Sequence, residues 1–192
     1  NNIEIAESVT TQPGATKVAQ TVRFATDKED SVALVVELKI PEYIVLNSIS
    51  PIDFEIAESD YYTQDHYTYL TIIGQYTNNG DLIPVNEIIT PFEVLFDVSK
   101  TAETDDATIE ITDNTYLMGS DSYTFDKKTN SEFTIEAKLM EKIEIVGDDS
   151  ITVPTKYGVI VIPDYTTNPS VTWSVDDETI ATVSTDGLLT PL

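Results

Sequence analysis

The sequence predicts an all-β protein in which antiparallel strands form a β-sandwich, followed by a second, partial sandwich. Short runs in which apolar and polar residues alternate recur along all 192 residues, as expected for strands with one buried face. Turn-forming pairs such as Pro13-Gly14 and Asp186-Gly187 separate these runs, because proline presets one backbone angle and glycine accepts a positive φ. We find no run with the apolar period of an amphipathic helix.

The first domain is expected to span residues 1–138 and to contain about nine strands. Val32 to Ile40 is the most apolar run, and we expect it to be a central strand that ends before Pro41. The runs that predict strands lie at residues 3–5, 18–24, 32–40, 43–52, 67–76, 82–89, 92–98, 107–111, 116–118 and 132–138. Alternation places one set of apolar side chains in the core, namely Leu34, Val36, Leu38, Phe92, Val94 and Phe96.

One tight hairpin is predicted inside this domain. Asn78-Asn79-Gly80-Asp81 lies between the runs at residues 67–76 and 82–89. Asparagine and glycine tolerate the positive φ angles of a two-residue hairpin turn, so we expect these two runs to pair.

The second domain is expected to span residues 141–192, after the short connection Ala137 to Lys142. Further strands are predicted at residues 143–145, 151–153 and 159–162. Ser170 to Thr190 is typical of two short strands around the polar turn Asp176-Asp177-Glu178. Alternation around Trp173 places this side chain in the core of the second domain.

Val171 to Thr190 also carries a family pattern, V-T-W-S-x-x-D-x-x-I-A-T-V-x-x-x-G-L-x-T. This pattern resembles the bacterial immunoglobulin-like group 2 family, which is found in surface adhesins, secreted enzymes and phage virion proteins. The resemblance implies a domain that displays or binds and does not catalyse. It also implies a closing strand after Gly-Leu-x-Thr that the sequence lacks. Either the domain is cut short or another subunit supplies the strand, and Asn1 to Val9 is our candidate donor.

Residues 1–138 carry a second, more diffuse resemblance. Pro13-Gly14 is followed by Val32 to Leu38, by Pro41-x-x-Ile44-x-Leu46, and later by Phe92 to Val98 and Ala107 to Ile111. This order is similar to the cohesin jelly-roll of bacterial cellulosome scaffolds. Where that family has Tyr-Asp-Pro-x-x-Leu, this sequence keeps the proline and replaces the Tyr and Asp with Lys39 and Ile40. The resemblance implies a jelly-roll sandwich and raises dockerin binding as one function.

Composition limits the function classes. The net charge of −24 comes from 34 acidic and 10 basic residues, which disfavours nucleic acid as a partner because phosphates require Lys and Arg. There is no cysteine, so disulfides and thiolate chemistry are excluded. No apolar run is long enough for a membrane helix, so we expect no membrane insertion. A start at Asn1 without methionine fits a processed or trimmed N-terminus better than a native start. We expect an extracellular or cell-surface location.

We predict no catalytic residues, because His66 is the only histidine and no nucleophile motif accompanies it. Calcium is the candidate cofactor, since carboxylates in loops supply the oxygen ligands that this ion prefers. Glu103, Asp105 and Asp106 are the first candidate metal ligands. The plainer interpretation of each acidic loop is a solvated turn.

Tyrosines cluster at Tyr61, Tyr62, Tyr67 and Tyr69, and these four are the candidate ligand-binding residues. Tyr67 and Tyr69 are expected on one strand face, with Leu70 and Ile72 on the other. Three roles are open for the cluster: packing within the sheet, a protein interface, and stacking on carbohydrate.

These observations favour a non-enzymatic extracellular surface or assembly module that acts in adhesion, display or scaffold protein–protein interaction. Its expected partner is a protein, which could be a surface protein, a scaffold or a neighbouring subunit. A dockerin-binding scaffold module is the first alternative. A carbohydrate-binding accessory region of a secreted enzyme and a virion appendage are the others.

Overall fold

The computed structural model describes residues 1–6, 8–77, 81–167 and 169–192. The chain divides into two compact units, which we call unit 1 (Asn1–Glu136) and unit 2 (Ala137–Leu192). All regular elements in the described residues are strands, and the prediction of an all-β sandwich fold is confirmed. The described residues hold no helix with the length and apolar character needed to cross a membrane.

The described part of unit 1 contains thirteen strands. In chain order they are β1 (Asn2–Ala6), β2 (Val9–Thr11), β3 (Val18–Ala25), β4 (Ala33–Pro41), β5 (Ile44–Pro51), β6 (Phe54–Gln64), β7 (Tyr67–Tyr76), β8 (Phe92–Val98), β9 (Asp105–Ile111), β10 (Tyr116–Met118), β11 (Ser122–Thr124), β12 (Lys127–Thr129) and β13 (Ser131–Ile135).

These strands form two sheets. The five-stranded sheet has the order β12-β1-β3-β8-β5. The eight-stranded sheet has the order β11-β10-β4-β9-β13-β2, with β7 also paired to β4 and β6 paired to β7. Most neighbours are antiparallel, but β1 pairs in parallel with β12 and β2 pairs in parallel with β13. The beginning of unit 1 is therefore hydrogen-bonded to its last strands in both sheets.

The core lies between the two sheets and follows from the alternation of the strands. The six predicted core residues are confirmed, since Leu34, Val36, Leu38, Phe92, Val94 and Phe96 are each at most 1% exposed. Aromatic rings from the two sheets meet edge to face: Phe24 of β3 contacts Phe54 of β6, and Phe96 of β8 contacts Phe133 of β13. Such contacts add to the free energy gained from burying the rings.

The predicted hairpin between residues 67–76 and 82–89 is wrong. Its turn residues Asn78, Asn79 and Gly80 lie outside the described residues, but β7 pairs with β6 and β4 instead. Residues 82–88 contain no strand, and Ile89 forms one isolated bridge to Phe24. This segment is apolar because Ile83 and Ile89 are buried in the core. Buried apolar residues in this loop give the sequence the alternation that is typical of a strand.

The N-terminal segment, which was our candidate strand donor, is paired within unit 1. Residues Asn2 to Ala6 form β1, which pairs with β3 along one edge and with β12 along the other. Ile3 and Ile5 are buried in the core of unit 1. Donation of this strand to another subunit would break both ladders and empty part of the core.

Unit 2 consists of two small antiparallel sheets in its described residues. The first pairs β14 (Lys142–Val146) with β16 (Gly158–Ile162). The second has the order β15-β18-β17, in which β15 is Thr155–Lys156, β17 is Ala181–Val183 and β18 is Leu188–Pro191. Gly187 has the positive φ of 84° that the Asp186-Gly187 pair predicts, in the turn between β17 and β18.

Two strand predictions in unit 2 are wrong, and so is the full burial of Trp173. Residues 151–153 and 171–174 have no strand pairing. Trp173 is half-buried, and its ring lies so close to Gly187 that a Cβ there would be 2.9 Å from it. None of the described apolar side chains of unit 2 is buried in the way that the core of unit 1 is.

Candidate functional site

The candidate site lies on the outer face of the eight-stranded sheet, where the β6–β7 hairpin carries the tyrosines. Asp65 and His66 form the two-residue turn, and both have positive φ, of 50° and 66°. This is the combination that a type I′ hairpin turn requires. The turn fixes the register, so that Gln64 lies opposite Tyr67 and Tyr62 lies opposite Tyr69.

Three of the four predicted tyrosines share the outer face. The rings of Tyr62 and Tyr69 are stacked, with centroids 4.9 Å apart and an angle of 3° between their planes. Tyr67 lies on the same face, and Leu70 and Ile72 lie in the core as predicted. Tyr61 lies opposite Leu70 and therefore projects from the other face, although 66% of it is exposed.

The neighbouring strands β4 and β9 add charged groups that the sequence analysis did not predict as part of the site. The ammonium of Lys39 in β4 lies 4.2 Å from the centre of the Tyr67 ring, a distance at which a cation is attracted to the face of an aromatic ring. The same ammonium donates to Glu110 of β9 at 3.1 Å. We call Tyr62, Tyr67, Tyr69, Lys39 and Glu110 the tyrosine face.

The tyrosine face is held by contacts that fix its side chains. The hydrogen bond to Glu110 raises the pKa of Lys39, so the ammonium stays charged over the ring. Partial burial and then the nearby carboxylate of Glu37 raise the pKa of the Tyr62 phenol. Glu37 is itself buried, and its Oε1 accepts from Thr112 at 2.6 Å and from Asn114 at 2.9 Å. The face therefore presents the neutral phenol of Tyr62 beside the charged ammonium of Lys39.

Lys39 could have been suggested by its sequence position. Lys39 is the only cation in the apolar run Val32 to Ile40, and alternation places it opposite to Leu38. A cation in a central strand has to reach solvent or a partner. Its partner could not be inferred, because Glu110 is 71 residues away along the chain.

The predicted calcium ligands lie at and just before the start of β9. The phenol of Tyr43 donates to Oδ2 of Asp105 at 2.7 Å, and Thr134 donates to Oδ1 of Asp106 at 3.0 Å. Burial and then the bond to Asp105 raise the pKa of Tyr43. Glu103 is exposed. Within the described ranges, no three His, Cys, Asp or Glu side chains are arranged to hold a metal ion, so these three carboxylates are not gathered around one point.

Two open clefts flank Tyr43 at this end of unit 1. The first, of about 340 Å³, lies between Tyr67 with His66 and the start of β9. The second, of about 460 Å³, lies between Val45 and the loop from Ser99 to Glu103. His66 is largely exposed, and its ring pairs with the carboxylate of Glu42 at 3.1 Å. The first cleft borders the tyrosine face at Tyr67 and Glu110.

No protein-family model matches the sequence, and no curated protein matches it. Solved cohesin structures do match. The third ScaC cohesin of Acetivibrio cellulolyticus, solved with the ScaB dockerin, is 15% identical with a TM-score of 0.52, and the match covers 71% of this chain and 99% of that one. A type I cohesin–dockerin complex of Clostridium thermocellum, Coh-OlpA with Doc918, is 14% identical with a TM-score of 0.52 and coverages of 71% and 100%.

A third structure, the seventh ScaB type I cohesin of Pseudobacteroides cellulosolvens, is 11% identical with a TM-score of 0.52 and coverages of 73% and 95%. Unit 2 is less than a third of the chain, so a match over 71% or more must rest chiefly on unit 1. At these identities the likeness concerns the fold. The prediction of a cohesin-like sandwich in the first domain is confirmed at that level.

Proposed function

We propose that unit 1 is a non-enzymatic, extracellular module that binds a protein partner through the tyrosine face, in a scaffold, adhesion or display role. The observation that carries this proposal is the cohesin-like fold of unit 1. The tyrosine face supports it, because tyrosines are enriched in protein interfaces and their rings are already held in place by stacking and by Lys39.

We infer that a dockerin is the first partner to test, because two of the similar cohesins were solved with dockerins. The sheet geometry provides a matched pair of variants for this test. Tyr62 and Tyr61 are adjacent and are 50% and 66% exposed, but only Tyr62 belongs to the tyrosine face. Tyr62→Ala should weaken binding about tenfold or more, as expected for an aromatic residue at the centre of an interface. Tyr61→Ala should leave binding unchanged.

The measurement is biolayer interferometry with the immobilised chain and a panel of purified dockerins in millimolar calcium. Binding that Tyr62→Ala weakens and Tyr61→Ala preserves would support both the partner and the face. Equal effects of the two substitutions would place the interface elsewhere. A panel without any binder would contradict the dockerin as partner.

Carbohydrate and calcium binding stay predictions. Stacking covers one ring face each of Tyr62 and Tyr69, and Lys39 covers a face of Tyr67, so fewer ring faces are open to a sugar. A glycan array is the direct test of carbohydrate binding. Calcium at Glu103, Asp105 and Asp106 would compete with the hydrogen bonds from Tyr43 and Thr134 for the carboxylate oxygens. Titration calorimetry of the chain and of its Asp105→Asn variant checks this.

We further infer that unit 2 is an immunoglobulin-like display domain of the group 2 type. Its support is the pattern from Val171 to Thr190, together with two antiparallel sheets and the Asp186-Gly187 turn under the Trp173 ring. A solution structure of the chain tests this inference. A strand order in unit 2 that is incompatible with an immunoglobulin sandwich would overturn it.

A further inference from the structure

The first cleft of unit 1, of about 340 Å³, is framed by three parts of the fold: the turn between β4 and β5, the β6–β7 turn and the start of β9. A hydrogen bond from the backbone N–H of Glu42 to the carbonyl of His66, at 3.0 Å, ties the two turns together. Pockets for small ligands have about 300–1,000 Å³. The cleft is therefore large enough to admit a whole side chain of another molecule.

Two tyrosine rings give the cleft aromatic walls. Tyr43 comes from the turn between β4 and β5, and Tyr67 is the first residue of β7. Pro41, which lies opposite Tyr67 in the β4–β7 ladder, and Ala107 add apolar surface. The face of a tyrosine ring attracts cations, and a flat wall suits a planar group best.

Three carboxylates line the same cleft, and each has one oxygen engaged by a hydrogen bond of the described ranges. Oε1 of Glu42 pairs with the imidazole of the hairpin turn at 3.1 Å. Oδ1 of Asp106 accepts from Thr134 at 3.0 Å, and Oε1 of Glu110 accepts from Lys39 at 3.1 Å. These bonds orient the carboxylates and leave the second oxygen of each for a ligand, so part of the cost of ordering them is met before binding.

The border of the cleft already holds a cation in this chemical setting. The ammonium of Lys39 lies 4.2 Å from the centre of the Tyr67 ring and donates to Glu110. A tyrosine ring and a carboxylate thus act together on a positive charge in this structure. The cleft repeats the combination with Tyr43, whose phenol is bonded to Asp105 at 2.7 Å.

The charge of the protein points to the same class of ligand. The chain has 34 acidic and 10 basic residues and a net charge of −24. A field of this sign draws basic partners towards the surface and repels acidic ones. A basic side chain on the partner therefore gains from the whole molecule as well as from the cleft.

We propose that the first cleft binds an arginine side chain of the protein partner. The guanidinium lies against the rings of Tyr43 and Tyr67, and it donates to the open oxygens of Asp106 and its neighbours. Arginine fits better than lysine because its planar fork stacks on rings and donates to several oxygens at once. This inference rests on the function proposed for unit 1, and the cleft borders the tyrosine face at Tyr67 and Glu110.

The test uses a probe that does not require the partner. Nα-acetyl-arginine amide is titrated into the ¹⁵N-labelled full chain with EDTA present, so that calcium does not compete, and backbone amide signals are followed by NMR. The signals of Tyr43, Tyr67 and Asp106 should shift and saturate in the millimolar range. The citrulline analogue has the same shape without the charge and should leave them in place. The lysine analogue should bind at least threefold more weakly.

A pair of variants locates the binding. Asp106→Asn keeps a carbonyl oxygen for Thr134 and removes the charge, and it should weaken binding of the arginine probe at least threefold. Glu58→Gln is the matched control, because Glu58 is an exposed residue of β6 that does not line the cleft. It removes the same charge from the molecule and should bind the probe like the parent chain.

Saturable shifts with the arginine probe that citrulline and Asp106→Asn abolish or weaken support the proposal. Equal shifts with citrulline or lysine, or equal effects of the two variants, overturn it. A dockerin panel without a binder would contradict that partner and leave the result with the probe standing. A binder that Tyr62→Ala weakens and Asp106→Asn does not would overturn the arginine cleft and support the tyrosine face.

Discussion

At the scale of single residues, Tyr61 and Tyr62 show how strongly position in a sheet determines the role of a side chain. They are consecutive, chemically identical and both exposed, yet they project from opposite faces. Only Tyr62 has a stacking partner on the tyrosine face. A count of tyrosines in this segment therefore overestimates the binding surface.

The burial of Leu38 leads to a stability prediction. Leu38 is 1% exposed and lies in the central strand β4, so Leu38→Ala removes core contacts and leaves a cavity. We expect the free energy of unfolding to fall by about 2–5 kcal/mol. Leu82→Ala is the matched control, since Leu82 is 50% exposed and surface changes usually cost less than about 0.5 kcal/mol. Urea denaturation followed by circular dichroism measures both, and equal midpoints would contradict the placement of Leu38.

Asp30 leads to a prediction about acid stability. Its Oδ2 accepts hydrogen bonds from the backbone and hydroxyl of Ser120 and from the phenol of Tyr123. These bonds, first that from the Ser120 hydroxyl, lower the pKa of Asp30 from 3.8 to about 2. A carboxyl with a lowered folded-state pKa stabilises the fold above its unfolded pKa, and this stabilisation disappears as the pH falls towards the folded value.

The stabilisation by Asp30 should therefore be lost between about pH 4 and pH 2. Asp30→Asn should have a lower melting temperature than the parent at pH 6, and the difference should shrink through this window. Thermal melts at a series of pH values check the prediction. Melting curves of the two proteins that stay separated by a constant interval down to pH 2 would contradict it.

At the scale of elements, the β6–β7 hairpin explains what the sequence could and could not predict. Apolar residues that alternate or run together predict strands β3, β4, β5, β7 and β8. Strand β6 was missed because most of its residues from Glu58 to Gln64 are acidic or polar and exposed. A strand that gains its stability from pairing, with little burial, leaves a weak pattern in the sequence.

A bulge in β6 makes the tyrosine face harder still to predict. Phe54 and Ile56 face the core, and simple alternation from them would turn Tyr62 inward and Tyr61 outward. The register shifts between Ile56 and Glu58, which reverses this assignment. A bulge adds one residue to one strand, and the residues around Ala57 do not predict it. The tyrosines could thus be identified from the sequence, but the face they share could not.

Strand β1 leads to a prediction at the same scale. Deletion of residues 1–6 removes Ile3 and Ile5 from the core and leaves β3 and β12 without their common neighbour. We expect the cooperative thermal transition of unit 1 to be lost or strongly lowered. Glu4→Ala is the control, because Glu4 alternates with these residues and faces away from the core. A truncated chain that melts like the parent would show that β1 is dispensable.

At the scale of the whole molecule, the two units differ in how they bury apolar surface. Unit 1 has a continuous core of fully buried side chains, whereas the described apolar residues of unit 2 all remain partly exposed. Stability depends mainly on the apolar area removed from water. We therefore expect unit 2 to be the less stable of the two and the chain to depart from two-state unfolding.

This difference can be measured without any variant. Trp173 is in unit 2 and unit 1 has no tryptophan, so tryptophan emission follows unit 2 alone. Its red shift should come at a lower urea concentration than the loss of the circular dichroism signal, most of which unit 1 contributes. Coincident transitions by the two probes would mean that the chain unfolds as one cooperative body.

The parallel pairing of β1 with β12 and of β2 with β13 has a mechanical consequence. These ladders join residues 2–4 to residues 127–129 and residues 9–11 to residues 133–135, close to the two ends of unit 1. Tension applied between those ends pulls the paired strands in opposite directions along their length. The load is then shared by all the hydrogen bonds of both ladders at once, and they cannot open one after another. A module tied in this way should resist stretching along the line between its two ends.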